Sequence, residues 1–309
     1  MTTTRNIMNN TAITPTEHYP SLAKALGLPD LYFKREDLHP LGSHKGRSIP
    51  FMIDHYRTKG DHRFAISSSG NAALAAALHV NRLNDEIRNL KQSGDPRQIE
   101  LDIFVGQHIA TRKLEKLKNL ENADIRILKK ERPIQALTLA VEDGMRSLRQ
   151  STDDIALEGY KSLAEELAAI GNIAAVFIGT SSGTTAQALA NHFKDEKSTA
   201  QIHIVQTSSC HPLTDDFENY DGPDEKSMAD AIVDITANRK PTLIPLVKET
   251  GGYGWVVTNE GIEMAQEMTE KHTGLRISVN SALSVAGTMQ AVYRDFEFNG
   301  AVVCMICGE

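Results

Sequence analysis

Residues 173–193 read IAAVFIGTSSGTTAQALANHF and contain the pattern that decides the fold. The apolar run Ile173–Ile178 predicts a buried strand, and the Ala-rich stretch Gly183–Phe193 predicts a helix. The loop between them, Gly179–Thr185, consists of glycines and hydroxyl residues. A strand, a short polar loop and a helix in this order form the unit from which parallel sheets are built.

The same alternation of short apolar runs and longer helical stretches extends along the rest of the chain. The other predicted strands are Leu31–Lys34, Arg63–Ser67, Leu101–Val105, Asp124–Leu128, Gln201–Gln206 and Ala301–Ile306. The other predicted helices are Arg47–Tyr56, Asn71–Leu83, Thr111–Leu120, Pro133–Leu148, Tyr160–Ile170, Gly261–His272 and Ser281–Tyr293. The polar stretch Asn84–Glu100 is interpreted as a surface connection, and Thr207–Glu225 as a mobile loop over a site. The pattern predicts an α/β protein with mostly parallel sheets.

Composition excludes several classes of function. The 309 residues carry 33 basic and 40 acidic side chains, a net charge of −7, which disfavours nucleic acid or an anionic membrane as a partner. Three cysteines are too few for a disulfide framework, and the first 20 residues lack the apolar core of a secretory signal. No apolar run approaches the ~20 residues of a membrane span. We therefore expect a cytoplasmic protein.

Cys304 and Cys307 form a C-x-x-C sequence, but residues three apart on a strand point to opposite faces. No second Cys or His pair completes a zinc site. We therefore predict no metal, an inward-facing core position for Cys304, and a position at the ligand-binding edge of the sheet for Cys307.

Three loops carry candidate chemistry. Gly42–Arg47 places Lys45 between a strand and a helix, where an amine could form a Schiff base or simply be a surface lysine in a turn. Ser67–Asn71 opens a helix, either as an anion pocket or as an ordinary N-cap. Gly179–Thr185 could wrap a phosphate with backbone N–H groups and hydroxyls. It is neither a Walker A motif nor a dinucleotide fingerprint.

A serine hydrolase is the competing interpretation of the third loop. Gly179-x-Ser181-x-Gly183 matches the G-x-S-x-G nucleophile elbow, with Asp215 or Asp216 and His272 as the partners. Against it, His272 ends a predicted helix, and no His-Gly-rich oxyanion segment precedes the elbow. This hypothesis also leaves Lys45 without a role.

Taken together and in order, the motifs resemble those of the fold-type II pyridoxal-phosphate enzymes, the tryptophan synthase β-like superfamily. That family includes threonine synthase, serine/threonine dehydratases and cysteine synthase. The resemblance covers nearly the whole chain. It rests on LYFKRED (31–37), GSHK (42–45), SSSGNAA (67–73), EGYK (158–161), GTSSGTT (179–185), VVTNEGIEMAQ (256–266), NSALSVAG (280–287) and CGE (307–309).

The resemblance implies pyridoxal 5'-phosphate as cofactor and a role for each matching residue. Lys45 matches the lysine that forms the Schiff base and then shuttles protons at the substrate Cα. Asn71 matches the asparagine that bonds the cofactor's 3-hydroxyl oxygen. The substrate carboxylate loop corresponds to Ser68, Ser69 and Gly70 with Asn71. The phosphate loop corresponds to Thr180, Ser181, Ser182, Gly183 and Thr184.

Cys307 matches the Ser, Thr or Cys that faces the pyridine nitrogen. A neutral thiol does not hold that nitrogen protonated, which suits α-proton removal followed by loss of a side-chain leaving group. The resemblance thus implies a lyase that eliminates or replaces at an L-amino acid side chain, similar to threonine synthase. The alternatives are a serine/threonine dehydratase and a cysteine synthase-like enzyme. Gly46 and the missing Glu-Pro around Ser278–Asn280 leave open a catalytically silent cofactor-binding relative.

The family's architecture implies two domains, each an open, mostly parallel sheet with helices on both faces. Residues 42–149 are predicted to form the smaller domain, and residues 1–41 plus 150–309 the larger one. The resemblance further implies a cofactor cleft between the domains, a small amino-acid substrate and a homodimer.

Overall fold

A computed structural model describes residues 12–89, 97–222 and 225–308. The chain folds into two compact units: unit 1 contains Pro40–Gly159, and unit 2 contains Ile13–His39 and Tyr160–Glu309. The predicted smaller domain, 42–149, falls inside unit 1. Each unit is built on its own sheet of mostly parallel strands with helices packed on it, which confirms the predicted α/β class.

The regular elements are numbered in chain order. The strands are β1 Thr16–His18, β2 Asp30–Arg35, β3 Arg63–Ser67, β4 Glu100–Gly106, β5 Ile125–Lys130, β6 Arg146–Ser147, β7 Ile173–Gly179, β8 Gln201–Thr207, β9 Gly254–Val257 and β10 Ala301–Ile306. The helices are α1 Pro20–Leu26, α2 Lys45–Thr58, α3 Asn71–Asn89, α4 Thr111–Lys118, α5 Pro133–Glu142, α6 Ile155–Glu158, α7 Lys161–Ala168, α8 Thr184–Asp195, α9 Lys240–Glu249, α10 Asn259–Thr273 and α11 Val279–Tyr293. Of the helices in the described ranges, none is long and apolar enough to cross a bilayer.

Unit 1 is a parallel sheet of order β5-β4-β3-β6. Alternate residues of β3 pack on opposite faces because successive side chains of a strand point to opposite sides. Phe64 and Ile66 join the core that includes residues of α2 and α3, whereas Ala65 packs with Leu137 of α5. Both faces of this sheet are therefore covered by helices.

Unit 2 is a sheet of order β1-β2-β10-β7-β8-β9, in which only the β1–β2 pair is antiparallel. Its central strand β10 is buried along its whole length. Val302, Cys304 and Ile306 belong to the core that α10 and α11 also build, and Val303 and Met305 are buried as well. Such a strand, with both faces covered, is typical of parallel sheets.

Two predicted boundaries differ from the structure by more than two residues. Helix α3 continues to Asn89 instead of ending at Leu83, because Asn84 is buried and its amide bonds both the N–H and the carbonyl of Ile99, each at 2.9 Å. The predicted surface connection is thus helix over residues 84–89, and residues 90–96 lie outside the described ranges. The predicted helix Pro133–Leu148 ends at Glu142, and β6 follows it.

Candidate active site

Lys45 is the first residue of α2 and follows a tight turn. Gly42 has a φ of +83°, and a Cβ there would lie 3.4 Å from the side chain of Leu74 in α3. The Lys45 backbone N–H donates to Oγ of Ser43, which is fully buried. Among the described residues, no carboxylate lies within 4.0 Å of the Lys45 ammonium. The turn thus fixes the position of Lys45 and leaves its amine outside any ion pair.

The serine loop leads from β3 into α3 in the same unit. β3 ends at Ser67 and α3 begins at Asn71, so the intervening residues lie at the carboxyl edge of the sheet. The Gly70 N–H donates to Oγ of Ser68 at 3.3 Å, and the Gly70 carbonyl accepts from Leu74 at 3.1 Å. Because Leu74 also contacts the turn before Lys45, the structure brings the lysine loop to the first turn of α3.

The hydroxyl loop of unit 2 joins β7 to α8. Its Gly183 has a φ of +81°, a conformation that favours glycine, and a Cβ there would lie 2.5 Å from the side chain of Leu243. α8 begins at Thr184, and the first N–H groups of a helix have no partner within that helix. This end of a helix, lined by hydroxyls, is suited to an anion.

Each hydroxyl of the loop has a distinct contact. Thr180 Oγ1 accepts the Gly183 N–H at 3.0 Å and so closes the turn. Ser182 Oγ lies 3.0 Å from Thr184 Oγ1. Ser181 Oγ accepts the N–H groups of Val233 and Asp234, both at 3.0 Å. The Ser181 oxygen is therefore engaged with the neighbouring segment, and its part in phosphate binding stays a prediction.

Cys307 lies at the same edge of the sheet as this loop. β10 pairs in parallel with β7, with Cys304 opposite Phe177, so Cys307 and the loop after β7 both follow the carboxyl ends of neighbouring strands. The next residue, Gly308, has a φ of +103°, and its carbonyl accepts from the hydroxyls of Ser278 and Ser281. The Gly308 N–H donates to Ser281 Oγ at 3.2 Å. Hydroxyl groups thus fix the peptide that follows the thiol.

One charged contact of the loop was not signalled by any motif. The Nε of Arg239, from the residue that precedes α9, donates to Thr184 Oγ1 at 3.1 Å. The local sequence gives no sign of this contact because 55 residues separate the partners. Hydroxyls, a helix N-terminus and a guanidinium together form a donor set that fits a phosphate group.

The described contacts do not assemble the hydrolase triad. His272 Nδ1 lies 3.2 Å from the hydroxyl of Ser21, whereas Asp215 contacts His211 at 2.6 Å. Asp216 pairs with Lys240 at 2.6 Å. Each candidate partner of Ser181 is thus engaged with another residue.

The remaining cysteines are core residues. Cys304 is fully buried 3.3 Å from Thr288 Oγ1, and burial raises the pKa of its thiol to about 12. Burial, followed by the charges of Asp234 and Asp215, raises the pKa of the Cys210 thiol. Neither thiol is suited to act as a nucleophile near neutral pH. The described residues contain no group of three His, Cys, Asp or Glu side chains that could hold a metal.

Comparison with known proteins gives matches over nearly the whole chain. The family model described as pyridoxal-phosphate dependent enzyme matches residues 7–308. Threonine synthase of Methanocaldococcus jannaschii is 24% identical over 316 residues, which cover 96% of this chain and 74% of that protein.

Solved structures share the fold. A pyridoxal 5'-phosphate-dependent aspartate racemase superposes with a TM-score of 0.78 at 20% identity, covering 96% of this chain and 90% of that one. The processed form of threonine deaminase isoform 2 from Solanum lycopersicum superposes with a TM-score of 0.76 at 22% identity, covering 96% and 79%. At these identities the likeness establishes the fold alone.

Proposed function

This chain belongs to the family of pyridoxal-phosphate dependent enzymes, and from that membership we propose that it eliminates or replaces the side-chain group of an L-amino acid, as threonine synthase-like enzymes do. Its cofactor is pyridoxal 5'-phosphate. The similarity to a threonine synthase, which covers 96% of this chain and 74% of that protein, supports this choice of reaction. An aspartate racemase shares the fold, so the experiment below also distinguishes elimination from racemisation.

Unit 1 would supply the proton chemistry. Bound pyridoxal phosphate withdraws electrons from the substrate Cα and so makes its proton removable. The Lys45 amine, which forms no ion pair with the described residues, would take that proton and return one after the leaving group departs. The serine loop, Ser68–Asn71, would bind the substrate carboxylate through its hydroxyls and N–H groups, with the Asn71 amide directed to the cofactor's 3-oxygen.

Unit 2 would hold the phosphate and the ring. The loop Thr180–Thr184 would bind the phosphate at the start of α8, and Cys307 would face the ring nitrogen. The proposed reaction rests on the thiol at this end of β10. Cys307 is 7% exposed, and two serine hydroxyls hold the carbonyl of the next residue, Gly308. A neutral thiol does not keep the ring nitrogen protonated, so elimination is favoured over transamination.

A serine/threonine dehydratase is the second candidate. Cys307 supports it equally, because the argument from a neutral thiol applies to any elimination at Cβ. A human serine dehydratase-like protein is 26% identical over 161 residues, about half of this chain. A cysteine synthase-like replacement is the third candidate.

A substrate panel tests the proposal. Purified protein with pyridoxal phosphate is incubated with O-phosphohomoserine, L-threonine, L-serine and O-acetylserine. We expect O-phosphohomoserine to yield inorganic phosphate and threonine. Formation of 2-oxo acid and ammonia from serine or threonine would establish the dehydratase instead. Chiral analysis of each recovered amino acid detects racemisation, and inversion without release of a side-chain group would contradict the proposal.

The matched control is a pair of lysine substitutions. Lys45→Ala is expected to remove turnover, whereas Lys271→Ala, at an exposed position of α10, is expected to keep it. Full turnover in Lys45→Ala would contradict the assignment of the catalytic base. A homodimer in the cytoplasm is the expected state of the protein, and light scattering after size-exclusion chromatography measures the stoichiometry.

A further inference from the structure

Arg239 is a buried cation next to the predicted phosphate loop. The residue is 4% exposed and lies two positions after Ala237, whose φ of +49° is uncommon outside glycine. Its Nε donates to Thr184 Oγ1 at 3.1 Å, and its Nη1 donates to Oε1 of Gln187 at 3.0 Å. Both acceptors lie in the first turns of α8, and both are at least 95% buried. The guanidinium is thus fixed at two points against the helix that begins the loop's anion site.

The direction of these hydrogen bonds follows from chemistry. A guanidinium has only donors, so Thr184 Oγ1 accepts from Arg239. Ser182 Oγ lies 3.0 Å from the same oxygen. The contact with a cation polarises this pair and makes it a stronger donor.

The other two hydroxyls of the loop have structural contacts. Thr180 Oγ1 accepts from Gly183 inside the turn, and Ser181 Oγ accepts from Val233 and Asp234. The loop therefore divides into hydroxyls that fix its shape and a pair, Ser182 and Thr184, that is backed by positive charge.

We propose that Arg239 is a positioning residue of the phosphate site, which acts through Thr184 and Ser182 to hold and polarise the hydroxyls that bind a phosphate dianion. The proposal rests on the proposed function, in which this loop holds the cofactor phosphate. It assigns a role to a residue that lies outside every motif of the sequence. It also separates Ser182 and Thr184, which would contact the phosphate, from Ser181, which would act on the loop alone.

The test compares ligands with and without the phosphate. Dissociation constants are measured on the apoprotein for pyridoxal phosphate, for pyridoxal and for inorganic phosphate. In Arg239→Gln the dissociation constants of pyridoxal phosphate and inorganic phosphate should rise roughly 10- to 100-fold, because hydrogen bonds to charged groups are lost. The dissociation constant of pyridoxal should change by less than about threefold, because pyridoxal lacks the phosphate that the site binds. Equal losses for pyridoxal and pyridoxal phosphate, or no loss for either, would overturn the proposal.

Further variants separate the role of Arg239 from folding. Thr184→Val removes the hydroxyl that links Arg239 to Ser182 and should give the same phosphate-selective loss, even if Arg239→Gln does not fold. Arg276→Gln is the matched control, because the Arg276 side chain is 84% exposed and pairs with Glu270 on the surface. It should leave all three dissociation constants unchanged.

A double-mutant cycle measures whether Arg239 and Ser182 act on the phosphate through one connected set of hydrogen bonds. In Arg239→Gln combined with Ser182→Ala, the loss of affinity for phosphate should be smaller than the product of the two single losses. Fully multiplicative losses would show that the two residues act independently, which would contradict the proposal. A protein that turns over none of the four amino acids but shows the Arg239-dependent phosphate selectivity would refute the proposed reaction and leave the phosphate site standing.

Discussion

His203 is a buried histidine whose neutral form the structure requires. Its ring stacks on Phe177 at 4.3 Å, and its Nδ1 accepts from the indole N–H of Trp255 at 3.1 Å. Nε2 therefore carries the hydrogen and donates to the side-chain oxygen of Gln201 at 2.9 Å. Burial lowers the pKa of His203 from 6.5 to about 3.

This histidine predicts a pH dependence of stability. Between pH 6.5 and about 3 the unfolded chain binds a proton at His203 that the folded chain does not, so stability is complete above pH 6.5 and falls as the pH drops. The contribution of this residue should fall by about 2 kcal/mol from pH 7 to pH 5. Urea unfolding followed by fluorescence measures it, since Trp255 is the single tryptophan of the chain and lies in unit 2.

His203→Gln removes the titrating ring and should flatten this part of the profile, although it also lowers overall stability. His192→Gln, at a half-buried position of α8, is the matched control and should keep the slope. An unchanged slope in His203→Gln would show that other groups cause the acid sensitivity.

The proposed position of Cys307 at the ring nitrogen predicts how the reaction should change when this residue is substituted. Cys307→Ser keeps a neutral group and should retain turnover within about tenfold, whereas Cys307→Asp introduces a carboxylate that favours a protonated ring nitrogen. The Asp variant should lose elimination activity and gain transamination, measured as 2-oxo acid formed per released leaving group. Equal product ratios in the two variants would refute this role of Cys307.

At the scale of residues, the sequence did not reveal the contacts between distant segments. The Arg239–Thr184 and Ser181–Val233 pairs join residues more than 50 positions apart and follow no local pattern. The positions of Lys45 and Thr184 at helix starts were predictable, because glycine-containing turns between an apolar run and a helical stretch mark such starts.

At the scale of elements, helix α10 illustrates how local sequence fixes a boundary. Thr258 is its N-cap, and Oγ1 accepts the Gly261 N–H at 3.2 Å, while Gly274 ends the helix with a φ of +75°. An N-cap side chain satisfies an N–H that the helix itself cannot.

Thr258→Ala should therefore lower the free energy of unfolding of unit 2 by about 1 kcal/mol. Thr258→Ser keeps the capping oxygen and should stay within about 0.5 kcal/mol of the wild type. Urea titration with Trp255 fluorescence compares the three proteins. A loss as large in the Ser variant as in the Ala variant would show that the cap is not the cause.

The elements that were predicted and those that were missed differ in a physical way. Interior strands such as β3 and β10 contain an uninterrupted apolar run, and their predicted bounds are confirmed. β1 consists of only three residues, TEH, and none of them is buried, so it has no apolar signature. α9 contains Pro241 and Pro245, which count against a helix in the sequence, although Pro241 is tolerated in the first turn.

For the whole molecule, we propose that the reacting amine belongs to unit 1 and the phosphate loop to unit 2. Lys45→Ala should therefore abolish turnover without abolishing cofactor binding. Because a ligand that binds only the folded state stabilises it, pyridoxal phosphate should still raise the midpoint of the Trp255 transition in this variant. Thermal unfolding with and without the cofactor measures the shift. A variant that gains no stability would show that Lys45 is needed for binding itself.

The central claim is that Lys45 is the residue that bonds the cofactor covalently. Borohydride reduction of the protein loaded with pyridoxal phosphate, followed by proteolysis and peptide mass spectrometry, tests it most directly. We predict one modified peptide, carrying the reduced phosphopyridoxyl group on Lys45, and none in Lys45→Ala. A protein that remains unlabelled, or that is labelled at another lysine with Lys45 unmodified, would contradict the account.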